Sequence, residues 1–363
     1  MDTRFFGGIA MKGLKNVWFR GAVAAVALVA AAGLTGCAKA SEKKTAELDP
    51  ITIHLKWLPQ AQFMGYYVAD AKGYYKDEGL KVTITPCDGT IAPEQGVSTK
   101  TADIGVTWVP TLLTYQAQGY DFVEVAQIYQ KSGLLLVSKK KTGIDSSKKI
   151  TAKTKVGNWG LGNEYEVKAL LQKLGLPTTY TNQDFTMNAF DKGDIDLASA
   201  MTYNEYGLVI NKYQGGLGYG EENVNVIDMN AEGVAMMEDC LFVSKEWLKD
   251  SKNEDKLVRF LRASLKGWKD ACDDPKAAAD IVMKAGSSIS LEHQQFMAEQ
   301  VKKLVDADAT PIGTLDEAKL SQTLELTKKY AELSDSSATE KLKALTLADL
   351  FTDKYLKLAT AAK

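Results

Sequence analysis

In Ile51-Thr-Ile-His54-Leu-Lys-Trp57-Leu-Pro59-Gln60-Ala-Gln62-Phe63, apolar and polar residues alternate strictly up to Trp57. Ile51, Ile53, Leu55 and Trp57 share one face, and Thr52, His54 and Lys56 share the other, which predicts a strand. Pro59 stops it, because proline cannot donate to a sheet ladder. Residues 62–71 have helical character, and Lys72-Gly73 fits the end of that helix. A second strand follows over 80–84, broken by Pro86 and Asp88-Gly89. A helix over 93–100 and a short buried strand over 103–107 come next. Strand and helix thus alternate at short intervals, which predicts an α/β architecture.

The same alternation runs outward from this stretch. Strands are expected over 122–129, 133–138, 155–159, 195–199 and 240–244, with a polar surface connection over 139–153. A helix over 164–174 ends at Gly175, with Pro177 just beyond. From Trp247 onward the chain reads as helical, over 254–273, 275–285, 291–306 and 315–333. Leu134-Leu-Leu-Val-Ser-Lys139 and Cys240-Leu-Phe-Val-Ser-Lys245 are near copies. One strand leaving a lobe and the other returning to it would explain the pair; coincidence among short apolar runs would as well.

The full chain has 363 residues, 45% hydrophobic and 25% charged, with 44 basic and 46 acidic side chains. These values describe an ordinary globular protein and allow two domains with cores of their own. A nucleic-acid partner is not expected, because phosphate neutralisation needs clustered Lys and Arg. There are only two histidines. Histidine is the usual proton carrier near neutral pH and the commonest metal ligand, so a hydrolase or a zinc enzyme is disfavoured. His54 reads as a solvated or hydrogen-bonded strand residue. No metal site and no cofactor is expected.

Charge is uneven at the N-terminus. Arg4, Lys12, Lys15 and Arg20 stand against Asp2, and an uncharged Ala-rich run then leads to Leu34-Thr35-Gly36-Cys37. A basic region, an apolar region and small residues before a cut describe a secretory signal peptide over 1–36. Met11 would give a more typical signal length than Met1. Leu-Thr-Gly-Cys resembles the bacterial lipobox, in which the cysteine is acylated, so Cys37 is the expected lipid anchor. Cleavage would leave 40 basic and 45 acidic side chains, a net charge of −5, on the full count of 44 and 46. Residues 37–50 are polar and lack periodicity, as a flexible tether would. Cys87, Cys240 and Cys272 show no CxxC spacing and read as buried free thiols.

Aromatic and amide side chains gather just past strand ends: Trp57, Gln60, Gln62 and Phe63 after the first strand, Trp108 after the third, Trp159 and Gly160 after the strand at 155–159, and Tyr203, Asn204 and Glu205 beyond another. In α/β sheets ligands bind beyond the carboxyl ends of strands. Flat aromatic faces with a few amides and a carboxylate suit a planar, mostly neutral, nitrogen-rich heterocycle. Any one of these tryptophans reads equally well as core. Gly157-Asn-Trp-Gly160-Leu-Gly162-Asn163 is a glycine-rich turn opening a helix, and its N–H groups could face a ligand. It is neither GxGxxG nor a P-loop. Glu205 could accept from a ring amine or form a salt bridge.

Leu55-Lys-Trp57-Leu-Pro59-Gln-Ala-Gln-Phe63-Met-Gly65-Tyr-Tyr-Val-Ala69, Lys72-Gly73-Tyr-Tyr75-Lys-Asp-Glu78-Gly79-Leu80, Thr101-Ala-Asp103-Ile-Gly105, Gly193-Asp-Ile-Asp196-Leu-Ala, Tyr203-Asn-Glu205 and Leu265-Lys-Gly267-Trp268 resemble the thiamine-pyrimidine-precursor family of solute-binding proteins. That family includes riboflavin-binding relatives and is related to sulfonate, taurine and nitrate binders. The resemblance implies a type II periplasmic-binding-protein fold: two α/β lobes, joined by two crossover strands, closing on a ligand cleft. Residues 51–136 and 242–363 would form lobe 1 with the C-terminal helices, and 137–241 lobe 2. It implies delivery of a small heteroaromatic ligand to the permease subunits of an ABC importer by a monomer anchored at the extracytoplasmic face of the membrane. Trp57 and the turn after it would line one side, and Trp159, Gly160 and 203–205 the other; Trp108 is added from its place at a strand end.

One branch of the family is enzymatic, a pyrimidine synthase that consumes its own histidine and carries clustered cysteines. Aligning Trp57 and Pro59 with that branch puts Phe63 where its histidine stands, and no clustered cysteines occur here. Binding rather than catalysis is therefore expected. The alternative of a small sulfonate-type anion would need arginine or dense N–H groups in the cleft, and beyond residue 36 the only arginines are Arg259 and Arg262.

Overall fold

A computed structural model describes residues 47–213 and 215–361. The expected signal peptide (1–36), the expected lipidation site Cys37 and most of the expected tether lie outside the described residues. The tether expectation is corrected at its end: β1 spans Asp49–His54 and so includes Asp49 and Pro50. Pro50 is tolerated because β1 pairs only β2 at that point.

Among the described residues, ten strands make two sheets. β1, β2 (Leu80–Thr85), β3 (Ile104–Thr107), β4 (Phe122–Gln127) and β10 (Cys240–Ser244) form the first, in the order β2-β1-β3-β10-β4. β5 (Leu134–Lys139), β6 (Val156–Asn158), β7 (Thr181–Asn182), β8 (Leu197–Met201) and β9 (Val224–Asp228) form the second, in the order β7-β6-β8-β5-β9. The two orders are equivalent. In each sheet four strands run in one direction, and one strand that arrives from the other sheet inserts antiparallel in the fourth place. Those inserted strands are β5 and β10, the near-copied pair. The repeat therefore reflects equivalent positions, each buried between two neighbours, which demands an unbroken apolar run.

The expected changeovers between 136 and 137 and between 241 and 242 fall inside β5 and β10. Each of these strands lies wholly in one sheet, and the chain passes between sheets through residues 128–133 and 229–239. These two connections are bonded to each other: the N–H groups of Ile128 and Tyr129 donate to the Asp239 carbonyl at 3.1 and 3.3 Å. Between them Ser132 Oγ lies 3.0 Å from both Glu166 Oε2 and Glu238 Oε1.

β9 was not among the expected strands. It is an edge strand with an exposed Val226, so its apolar residues face both ways and the period-2 signal is weak. His54 is buried at 6% exposure, its ring against Gly96 in the helix Pro93–Ser98. It is therefore neither solvated nor within the cleft described below. The helix Met64–Ala71 packs on Ser251–Asp273 through two glycines: a Cβ on Gly65 would lie 2.1 Å from the Trp268 ring, and one on Gly267 would lie 2.3 Å from the Gly65 carbonyl. That close approach fixes the helix which follows the 57–63 turn, and hence the turn itself. Arg259 and Arg262 sit on the same long helix and pair with Asp49, Asp255 and Glu78. Cys87, Cys240 and Cys272 are free and buried. No described helix is long and apolar enough to cross a membrane.

Candidate ligand-binding site

A cavity of about 450 Å³ lies between the two sheets, within the range of small-molecule sites. Its first wall comes from the ends of β1 and β3. Past β1 the chain enters a single 3-10 turn, Ala61–Phe63, that is held from outside: Gln294 Oε1 accepts from the Ala61 N–H at 2.7 Å, and Tyr129 donates to the Gln62 carbonyl at 3.1 Å. Trp57, Gln60 and Gln62 line the cavity from this turn, and Trp108 lines it from the N-cap of the helix Val109–Ala117. Gln60 Nε2 donates to Gln62 Oε1 at 2.5 Å, and Gln62 Nε2 lies 3.0 Å from both oxygens of Asp239. Trp108 Nε1 donates to Asp239 Oδ1 at 2.8 Å. Burial pushes the Asp239 carboxyl up to about 6, against the opposing pull of Gln62, Lys56 and Trp108.

The second wall carries Trp159, Tyr165, Phe185, Tyr203, Asn204 and Glu205. Glu205 Oε2 accepts the Met201 N–H and Oε1 accepts from Asn204 Nδ2, both at 2.9 Å. Asn204 Oδ1 meets His293 Nε2 at 2.8 Å, and His293 Nδ1 meets the Tyr213 hydroxyl. Burial drops His293 to about 4, so it is neutral at pH 7. Burial raises Glu205, and the bonds from Met201 and Asn204 oppose that rise.

The walls touch across the cleft at two places. The Trp57 and Phe185 rings lie 5.0 Å apart, and Thr111 Oγ1 donates to the Leu161 carbonyl at 3.1 Å. Leu161 has φ +69° between Gly160 at +80° and Gly162 at +106°. A left-handed leucine is strained, and here its carbonyl makes the contact between walls.

Eight of the eleven expected ligand-facing residues line this one cavity: Trp57, Gln60, Gln62, Trp108, Trp159, Tyr203, Asn204 and Glu205. Three do not. Phe63 is fully buried in the core, because the 3-10 turn rotates it away from Gln62. Gly160 is absent from the lining, and the expected N–H cradle is already occupied: Gly160 N–H donates to Asn158 Oδ1 at 2.7 Å and Gly162 N–H to Glu164 Oε2 at 2.8 Å. Asn163 is buried beneath the wall with its Nδ2 on the Met201 sulfur. Lys56, Glu94 and Phe185 line the cavity and were not singled out. Glu94 accepts from Thr107 Oγ1, and Lys56 Nζ sits 4.6 Å from the Trp108 ring centre. Phe185 had one legible mark, a lone large aromatic in the polar run Asn182-Gln-Asp-Phe-Thr-Met-Asn188.

Charge on the lining is biased: Lys56 stands against Glu94, Glu164 and Glu205, and none of the described lining residues is arginine. The cavity thus offers aromatic faces and hydrogen-bond acceptors.

Two equivalent α/β sheets with paired connections and a cleft between them define a periplasmic binding protein fold. The aliphatic sulphonate binding protein SsuA of Escherichia coli has that fold in common with this chain, at TM-score 0.60 and 14% identity over 81% of this chain and 91% of that one. The chain belongs to the NMT1/THI5-like family, whose model matches residues 60–278. Among its relatives are the riboflavin-binding protein RibY of Chloroflexus aurantiacus, 26% identical over 65% of this chain and 66% of that protein, and a formylaminopyrimidine-binding protein of Halalkalibacterium halodurans, 22% identical over 70% and 76%. A 4-amino-5-hydroxymethyl-2-methylpyrimidine phosphate synthase of Schizosaccharomyces pombe is 24% identical over 62% and 67%. The aligned stretch covers about two thirds of the riboflavin-binding relative's length.

Proposed function

We propose that this chain is the extracytoplasmic solute-binding component of an ABC importer, anchored through a lipid on Cys37. Its ligand would be a planar heteroaromatic vitamin or precursor, of the riboflavin or aminopyrimidine kind. The observation that carries this reading is the composition of the cavity wall. Trp57, Trp108, Trp159, Phe185 and Tyr203 supply ring faces from both sides, and the charged lining groups are one lysine against three glutamates. Such a wall favours a flat ligand that brings hydrogen-bond donors. It disfavours a sulfonate, which would face Glu94, Glu164 and Glu205 without an arginine to pair it. Contact between the walls at Trp57–Phe185 and Thr111–Leu161 supports hinge closure as the binding mechanism. Phe63, where the synthase branch has its histidine, supports binding without turnover.

The test is titration of the purified chain, starting after residue 37, with riboflavin, formylaminopyrimidine and an alkanesulfonate, followed by tryptophan fluorescence and calorimetry. One of the two heteroaromatics is expected to bind at micromolar Kd or tighter and to be recovered unchanged. Binding of the sulfonate alone, or steady conversion of a bound heterocycle, would overturn the proposal.

A further inference from the structure

Two neighbouring glutamines do not by themselves say which end of each amide is donor and which acceptor. In this cavity a third group decides. Indole Nε1–H can only donate, so Trp108 makes Asp239 an acceptor, and the carboxylate is 2% exposed with no solvent to satisfy it otherwise. Gln62 must then turn its NH2 toward Asp239, where it lies 3.0 Å from both oxygens. Its carbonyl is left facing Gln60, and accepts from Gln60 Nε2 at 2.5 Å. The Gln60 carbonyl oxygen has no partner among the described residues, and Gln60 lines the cavity.

We propose that Asp239 is a specificity-setting positioning residue: it fixes the direction of the Gln62–Gln60 chain so that Gln60 presents a carbonyl oxygen, and the ligand edge that meets it must carry an N–H or O–H donor. This rests on the reading of the cavity as the solute site. Asp239 itself does not touch the ligand. It closes the segment 229–239, so its carbonyl receives the opposite connection while its side chain orients the wall. The same logic removes Trp108 as a donor to ligand, since its only N–H is already committed, and leaves it a ring face alone.

Asp239→Asn tests the direction of the chain without changing its shape. The Asn oxygen keeps the Trp108 bond, and the new NH2 replaces one of the two oxygens that accept from Gln62. Gln62 is then no longer held in one direction, and Gln60, released with it, is free to present N–H. Two matched probe pairs read the edge: riboflavin against 3-methylriboflavin, and formylaminopyrimidine against the analogue with oxo in place of its 4-amino group. For whichever pair binds, the wild type is expected to prefer the donor-bearing member at least tenfold. Asp239→Asn should shrink that ratio at least tenfold or invert it. Adding Gln60→Glu should restore it, because a carboxylate at that position again offers only acceptors. An unchanged ratio in a folded Asp239→Asn protein overturns the proposal.

Failure of all four probes on the wild type would instead overturn the heteroaromatic reading. The direction of the amide chain is then decided on the free protein by NMR of the glutamine side chains. Both Gln62 amide protons are expected to exchange slowly in the wild type and to shift in Asp239→Asn. Fast exchange of Gln62 in both proteins refutes the assignment.

Discussion

The two cavity walls are braced by hydrogen-bond chains that run in opposite senses and end alike. On the first wall the carboxylate is the root: Asp239 lies behind, and the amides of Gln62 and Gln60 lead outward to a carbonyl. On the second the carboxylate is the tip: the Tyr213 hydroxyl donates to neutral His293, whose Nε2–H donates to Asn204, whose NH2 donates to Glu205. The neutrality of His293 is what lets the second chain keep one direction, since a neutral imidazole has one donor and one acceptor nitrogen. Different residues and different roots thus leave an acceptor in the cavity on each side. The roots also differ in place. Asp239 belongs to a connection between the sheets, whereas the second chain starts at Tyr213 and passes through His293 on the helix Leu291–Val305, far along the chain.

If a charged tip and a neutral tip recognise the same ligand, removing them should cost different amounts. Glu205→Ala is expected to weaken binding of the cognate heteroaromatic about 100-fold, since hydrogen bonds to charged groups contribute roughly 1.5–3 kcal/mol. Gln60→Leu should cost about tenfold, the value of about 1.4 kcal/mol for a neutral acceptor. Calorimetric Kd values for the two variants measure the contrast directly; equal losses would break it.

The ring faces come next. Trp57→Ala and Phe185→Ala should each weaken binding on the order of 5- to 10-fold, as aromatic contacts add roughly 0.5–1.5 kcal/mol beyond burial. Neither should move Tm by more than about 2 °C, because Trp57 is only partly buried and Phe185 is exposed. Tyr203 is a different case at 2% exposure, its ring edge-on to Tyr129 at 5.9 Å. Tyr203→Ala is therefore expected to lose roughly 3 kcal/mol of stability along with affinity, and thermal melts would separate it from the other two.

Much of this was legible because the pattern is local. The Ile51–Trp57 alternation, the Pro59 stop and the apolar runs of β5 and β10 each follow from the burial of one element, so period and composition reveal them. Eight cavity-lining residues were legible for a related reason: sheets bind ligands past their strand ends, and aromatics there stand out. Asp239 was not legible. It directly precedes β10 in Glu238-Asp239-Cys240, and its partners Gln62 and Trp108 are far away in sequence. Only the fold brings a carboxylate under them. Phe63 and Asn163 failed for the opposite reason, since one step around a 3-10 turn or a helix entry decides between cavity and core, and composition carries no such phase. Gly160 failed because the side chains of Asn158 and Glu164, both within two residues of the N–H groups they cap, took the donors the glycines had freed.

The smallest effect concerns the place where the two connections meet, and it is a matter of counting protons. The walls end in acceptors and take their proton from a ligand; the connections must supply their own. Ser132 Oγ lies 3.0 Å from a carboxylate oxygen of Glu166 and of Glu238, and also accepts the Leu134 N–H at 3.0 Å. Serine has one proton to donate, so one carboxyl of the pair must be protonated and donate to Oγ. Burial raises both groups, and for Glu166 the neighbouring Glu238 adds to it. A folded pKa above the unfolded one means that the folded protein holds a proton the unfolded chain has released. Stability is then greatest in acid and falls as pH rises from the ordinary carboxylate range through the raised folded value, by up to about 1.4 kcal/mol per unit per group. Glu238→Gln removes that charge yet keeps an acceptor for the Gly133 N–H and Ser132, while its NH2 replaces Oε2, which is buried without a partner. The unpaired amide should cost about 1 kcal/mol at every pH, so the variant should be less stable than wild type at pH 5. At pH 8.5 relief of the buried charge should offset that cost, and the Tm difference between variant and wild type should rise by several degrees across the range. Melts at the two pH values give the difference, and a constant offset would show that the connections hold no shared proton.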